Sequence, residues 1–133
     1  MYQLEINDLA KLQVQSRKYQ FNYATDGTQA NPLEATFAAL AGCAGVYAIK
    51  ACKKLNRSPL GIKISGRSMT KLENPGVVNK WITTVQFPDG WEAQDKETVL
   101  AEIQKCAVKE LIHHGPDIEF ITQEDVKASE AVI

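Results

Sequence analysis

Apolar and polar residues alternate through the first 23 positions. Tyr2, Leu4 and Ile6 are separated by Gln3 and Glu5, Leu12 and Val14 by Gln13, and Tyr19, Phe21 and Tyr23 by Gln20 and Asn22. A period of two predicts three short strands, each with one buried face and one wet face. Ser16-Arg17, between the second and third runs, predicts a tight hairpin. The stretch TDGTQANP, residues 25–32, consists of turn residues and predicts a loop.

The pattern then changes. Asn31 suits an N-cap, Pro32 the first helical position, and Glu34 the third, which together form a capping box with Asn in place of Ser or Thr. The helix is predicted to run to about Leu55, where Asn56 and Pro59 end it. From Ala35 to Ile49 it carries no charge. A surface helix keeps a polar face, so this one is expected to be buried on every side. Ala38, Ala41, Gly42, Gly45 and Ala48 form a stripe of small residues that would let another backbone approach. A mid-helix Gly costs about 1 kcal/mol against Ala, and close packing is expected to offset that loss. A chain this short cannot easily surround such a helix, so a second subunit is expected to complete the cover.

Ile62, Ile64 and Gly66 begin a fourth strand ending near Lys71, Asn74-Pro75-Gly76 marks a turn, and Trp81, Thr83, Val85 and Phe87 make a fifth strand. A second helix is predicted from about Asp95 to His113. Val99, Ile103, Cys106, Ala107 and Glu110 or Leu111 trace one face of it, which puts Cys106 on the buried side. Gly115-Pro116 stops it. Ile118 and Phe120 predict a last strand. The order βββ-α-ββ-α-β is an α+β plan with antiparallel hairpins.

The length of 133 residues implies a single domain over 1–133, with a polar tail from about residue 124. Apolar residues at 44% and charged residues at 23% are ordinary for a globular protein. A net charge of −1 with no basic stripe argues against nucleic acid as a partner. No uncharged apolar run reaches about 18–20 residues, so no membrane span is expected. The start MYQLEINDLAK does not read as a signal peptide, and the expected compartment is the cytoplasm. There Cys43, Cys52 and Cys106 would rest as thiols.

Cys43 lies about three turns into the first helix. A buried free cysteine is commonly inert packing. A second thiol on the apolar face of the other helix changes this, because Cys43 and Cys106 could meet if those faces pack. Two convergent thiols make a dithiol–disulfide couple. Cys52, half a turn away in helical phase, is expected to face elsewhere, near Lys53 and Lys54, as a bystander. His113-His114 are better read as last-turn complements to the helix dipole than as metal ligands. No phosphate loop, nucleophile elbow or nucleotide fingerprint is present, and no metal or cofactor is expected.

The segment NPLEATFAALAGCAGVYAIKACKKL (31–55), followed by NRSPLGIKISG (56–66), resembles the OsmC/Ohr family of thiol peroxidases and stress proteins. The shared pattern is Asn-Pro, a Glu, an Ala-rich helix leading to Gly-Cys, and a short loop into a strand. KCAVKEL (105–111) supplies a second cysteine. The likeness in order covers about residues 18–123. Leu33 stands where the peroxidase branches carry a carboxylate, with Glu34 one position later, and Ala107 stands where Pro often follows the second cysteine. The pattern is thus closer to the less characterised OsmC-like branch.

The resemblance implies an intertwined homodimer, with central helices packed on antiparallel sheets from both chains and sites at the interface. It implies that Cys43 is the peroxidatic cysteine and Cys106 the resolving one, with Glu34 and Arg17 as candidates for the assisting carboxylate and arginine. The implied reaction reduces an organic hydroperoxide, and a dithiol reductant restores the thiols. Two alternatives stay open: a protein that binds a small apolar or thiol-bearing ligand without turnover, and a redox sensor using the same pair.

Overall fold

The computed structural model describes residues 1–124, and the remainder of the expected polar tail lies outside them. Three strands come first: β1 (Gln3–Leu4), β2 (Lys11–Gln15) and β3 (Gln20–Ala24). They form an antiparallel sheet in the order β1-β2-β3, with Leu4 opposite Val14 and Val14 opposite Phe21. The β2–β3 connection spans Ser16 to Tyr19 and is closed by the Ser16 N–H, which donates to the Tyr19 carbonyl at 2.7 Å. The period of two is present, but the expected buried face is not covered within the chain. Leu12, Val14 and Tyr23 are half-buried, whereas Tyr2, Leu4, Ile6, Tyr19 and Phe21 are exposed. Alternation creates an apolar face; only a neighbouring layer buries it.

α1 (Pro32–Lys54) starts as its sequence dictates. The Asn31 side-chain oxygen accepts from the Glu34 N–H at 2.8 Å, and the Asn31 N–H donates to the Glu34 carboxylate at 3.3 Å. Its end is equally well determined. Asn56 takes the left-handed conformation (φ 53°), its N–H donates to the Lys53 carbonyl at 3.2 Å, and the Arg57 N–H donates to the Cys52 carbonyl at 2.9 Å. This pair of reversed bonds is a Schellman end, and Asn tolerates the conformation it needs. Over its most apolar stretch α1 has a mean hydropathy of 1.5, so by length and composition alone it could cross a membrane.

α1 is not buried all round by its own chain. Leu40, Ala44, Ala48, Ala51 and Cys52 are buried, and they span about 120° at 100° per residue. Ala38, Ala39, Gly42, Val46 and Ile49, on the opposite side, are exposed. A Cβ added at Gly42 or Gly45 would meet nothing within 4 Å. The close packing expected to offset these glycines is therefore not made inside the chain. Cys52, expected to face away from the core, is instead 0% exposed within it. The half-turn phase between Cys43 and Cys52 was right; Cys52 is the one on the core side.

β4 (Lys63–Lys71) and β5 (Asn74–Gln86) form a long antiparallel hairpin. The turn falls at Leu72-Glu73, and Asn74 already pairs with Lys71. Pro75 and Gly76, expected in the turn, instead fall where the register slips between Thr70 opposite Val78 and Lys71 opposite Asn74. A proline has no N–H for the ladder, so a bulge is where it can sit in a strand.

The second helix is two helices: α2 (Ala93–Ile103) and α3 (Ala107–His114). Cys106 lies between them with φ −51° and ψ 127°, outside the helical range, as the N-cap of α3. Val99, Ile103 and Cys106 are buried as their spacing predicted, whereas Ala107, Glu110 and Leu111 belong to a separate helix and are exposed. The core joins Ala44, Ala48, Ala51 and Cys52 of α1 to Val99 and Ile103 of α2, with Ile64 and Val85 of the hairpin and Phe87 just past β5 packed against them. The alanines on α1 let α2 come close.

The α+β class holds, as does the order of three strands, helix, two strands and a helical segment. Past α3, residues 115–122 pair with neither sheet, so Ile118 and Phe120, 74% and 92% exposed, do not form the expected last strand.

Candidate functional site

Cys43 lies at the edge of the buried stripe of α1 and is half-buried. The break between α2 and α3 turns Cys106 inward toward it. The two side chains are within hydrogen-bonding reach, and Cys106 is 1% exposed. Burial pushes the Cys106 thiol above its ordinary range, and its hydrogen bond with Cys43 pushes it further. The Val108 and Lys109 amides, in the first turn of α3, pull in the opposite direction without forming a full cap bond. Burial prevails, so Cys106 keeps its proton at neutral pH. Burial also raises the Cys52 thiol, against the opposing charge of Arg57.

Beside Cys106 a cavity of about 540 Å³ opens between α1, β5, α2 and α3. Its walls are mostly apolar and include Phe37, Leu40, Trp81, Ile103 and Ile112. Phe37 and Trp81 stack with ring centroids 5.0 Å apart and planes 4° from parallel. The Trp81 indole N–H donates to the Thr83 hydroxyl at 2.9 Å, so its polar edge is satisfied and its faces are free to stack. Gly66 makes room for it: a Cβ there would lie 2.8 Å from Trp81 Cε2 and 3.0 Å from Cη2. None of these wall residues was singled out from sequence. The available signal was Gly66 at an apolar position of a period-two strand, which marks a close approach.

The other expected site residues are not brought to the thiols. Glu34 is held at the start of α1 by the cap, its carboxylate also accepting from the Asn31 side-chain amide at 3.2 Å. It lies nine residues before Cys43, about 13.5 Å along the axis. Arg17 is exposed in the β2–β3 connection. Arg57 is committed to Asp95 at 2.9 Å and stacks over Trp91 at 3.9 Å. Arg67 is exposed on β4. Within the chain no arginine reaches Cys43 among the described residues. His113 and His114 close the last turn of α3, their rings 4.4 Å apart edge to face.

The sequence matches no protein-family model and no curated protein. The fold does have counterparts. An OsmC-like protein from Mycoplasma pneumoniae superposes with a TM-score of 0.68 at 11% identity, covering 85% of this chain and 86% of that one. A Psychrobacter arcticus protein, provisionally described as an osmotic stress induced and detoxification response protein, gives 0.69 at 11% identity, covering 86% and 88%. A hypothetical protein from Aquifex aeolicus gives 0.63 at 14% identity, covering 90% of both chains. The chain therefore has the fold of OsmC-like proteins, as its first helix and Gly-Cys motif suggested.

Proposed function

We propose that this protein is a member of the OsmC/Ohr family and a thiol-dependent peroxidase acting through Cys43 and Cys106. The observation that carries this reading is the approach of the two thiols, one half-buried and one sealed beside an apolar cavity. Their difference sets the roles. Cys106, protonated at neutral pH, is a poor first nucleophile. Cys43, the more accessible of the two sulfurs, is then the attacking one.

Its sulfur attacks the terminal oxygen of an organic hydroperoxide. The O–O bond breaks, an S–O bond forms, and the alkoxide takes a proton and leaves as the alcohol. The Cys106 sulfur next attacks the Cys43 sulfenic sulfur, an S–S bond forms, and the hydroxyl leaves with the Cys106 proton as water. A dithiol reductant restores both thiols by two exchange steps and is itself oxidised to a disulfide.

The same reading includes a homodimer. The exposed outer face of α1, the open space beside Gly42 and Gly45 and the uncovered face of the N-terminal sheet call for outside cover, and a second copy would supply it. An arginine reaching Cys43 would then come from the partner subunit.

Consumption of an alkyl hydroperoxide with a dithiol is expected to be fast in the wild type, abolished in Cys43→Ser, and to stop after one turnover in Cys106→Ser. Equally slow consumption by wild type and Cys43→Ser rejects the reading. The cavity, with no arginine at Cys43 within the chain, supports a second one: a binding protein without turnover. That reading predicts a co-purifying small molecule in native mass spectra and no flux in the same assay.

A further inference from the structure

Cys106 meets Cys43 only because the chain turns between α2 and α3. Cys106 itself makes no side-chain cap bond there, and its backbone lies outside the helical range. The main-chain bonds of the turn are short-range: the Gln104 N–H donates to the Leu100 carbonyl at 3.1 Å, the Lys105 N–H to the Glu102 carbonyl at 3.0 Å, and the Cys106 N–H to the Ile103 carbonyl at 3.1 Å. They set the local shape of the turn but not its seat on α1. Ile103 packs the end of α2 into the core, but apolar contact is not directional. The directional tie is Glu102, in the last turn of α2. Its Oε1 accepts from Lys54 Nζ of α1 at 3.0 Å and from Lys105 Nζ, on the residue before Cys106, at 3.1 Å. The Glu102 side chain is 14% exposed, the least of the ion-paired carboxylates among the described residues. The bonds from Lys54 and Lys105 hold its carboxyl below the usual carboxylate range, so it is charged at neutral pH.

We propose that Glu102 is a positioning residue of the thiol pair: by holding Lys54 and Lys105 on one carboxylate, it fixes the α2–α3 corner with the Cys106 sulfur toward Cys43. This deepens the previous reading and rests on its pairing of Cys43 with Cys106, but not on hydroperoxide turnover. A disulfide needs Cα atoms no more than about 7 Å apart and converging side chains, so a corner free to swing is less often in reach. Both lysines are largely exposed, which screens the bonds and makes the effect a shift of a few-fold rather than a loss.

The test equilibrates the intact protein with reduced and oxidised glutathione and measures the Cys43–Cys106 disulfide by alkylation and mass spectrometry. The pair gives two electrons and two protons to one oxidised glutathione, which becomes two thiols. Glu102→Gln is expected to lower the equilibrium constant for the disulfide about three- to tenfold. Lys54→Met, at an exposed position, is expected to lower it too. A through-space effect of charge on the Cys106 thiol would instead move these two variants in opposite directions, since one removes a negative charge and the other a positive one. Asp95→Asn breaks the 2.9 Å bond to Arg57 at the opposite end of α2. It is expected to stay within about twofold of the wild type, as a separate site should. An unchanged constant in Glu102→Gln, opposite shifts in Glu102→Gln and Lys54→Met, or an equal fall in Asp95→Asn overturns the proposal. Should Glu102→Gln fail to fold, Lys54→Met decides, and no fall in it overturns the proposal. A wild type that forms no disulfide also overturns it, whatever the peroxidase assay gives. A disulfide that forms and shifts as expected, with no hydroperoxide consumed, rejects the peroxidase turnover and leaves this inference standing.

Discussion

Replacing Gly66 by Ala would test how the cavity wall is built. The added Cβ would lie 2.8 Å from Trp81 Cε2 and 3.0 Å from Cη2, with Cζ2 nearer still, whereas carbon atoms pack at about 3.5–4.0 Å. Gly66 is in the middle of β4, so its backbone cannot retreat without breaking the ladder, and the indole must move. Moving it separates the ring from Phe37, now stacked at 5.0 Å, and breaks the 2.9 Å bond to Thr83. Overpacking of this kind costs about 1–3 kcal/mol, and the lost ring pair about 0.5–1.5 kcal/mol more. The lower chain entropy of unfolded Ala returns about 0.4–1 kcal/mol. The net expectation is a loss of about 1–3 kcal/mol, a fall in Tm of roughly 3–10 °C for a chain of this size. Thermal unfolding followed by circular dichroism measures it. In a Trp81→Leu background the same Gly66→Ala change is expected to be neutral within about 0.5 kcal/mol, giving a coupling above about 1 kcal/mol. A Tm that is unchanged or raised, or an equal cost in both backgrounds, refutes the steric account.

Asn31→Ala removes the acceptor of the Glu34 N–H and the anchor of the capping box, and is expected to cost about 1 kcal/mol in chemical denaturation, with Asn31→Ser close to wild type; an unchanged midpoint in the Ala variant would mean the cap adds nothing. The Cys52 and Cys106 thiols both sit above their ordinary value near 9.0 because of burial, so the folded state holds their protons longer than the unfolded state does. That stability is fully present below the unfolded value and is lost as pH rises through the folded one. Tm is therefore expected to fall from about pH 9 upward, and to fall less steeply in Cys52→Ala; parallel slopes would contradict this.

The sequence by itself determined the elements whose causes are local. The cap at Asn31, Pro32 and Glu34 begins α1, and the Asn56 end stops it, because each needs only neighbours a few residues away. The period of two set the strands, and the 100° step set the face holding Val99 and Ile103. The motif around Cys43 also pointed to the right fold. What needed the tertiary structure was every decision that depends on a distant surface. Whether Cys52 or Cys43 faced the core depended on where α2 docks. The break at Cys106, where no side-chain cap bond forms and the side chain is buried, carried no local signal. Ile118 and Phe120 keep the alternation of a strand but pair with neither sheet, because pairing needs a distant edge that a local pattern does not supply. The cavity joins residues from four elements, so no local window contains it. An apolar face can be read from spacing alone, but the partner that covers it cannot, because burial belongs to two surfaces and the sequence pattern describes one.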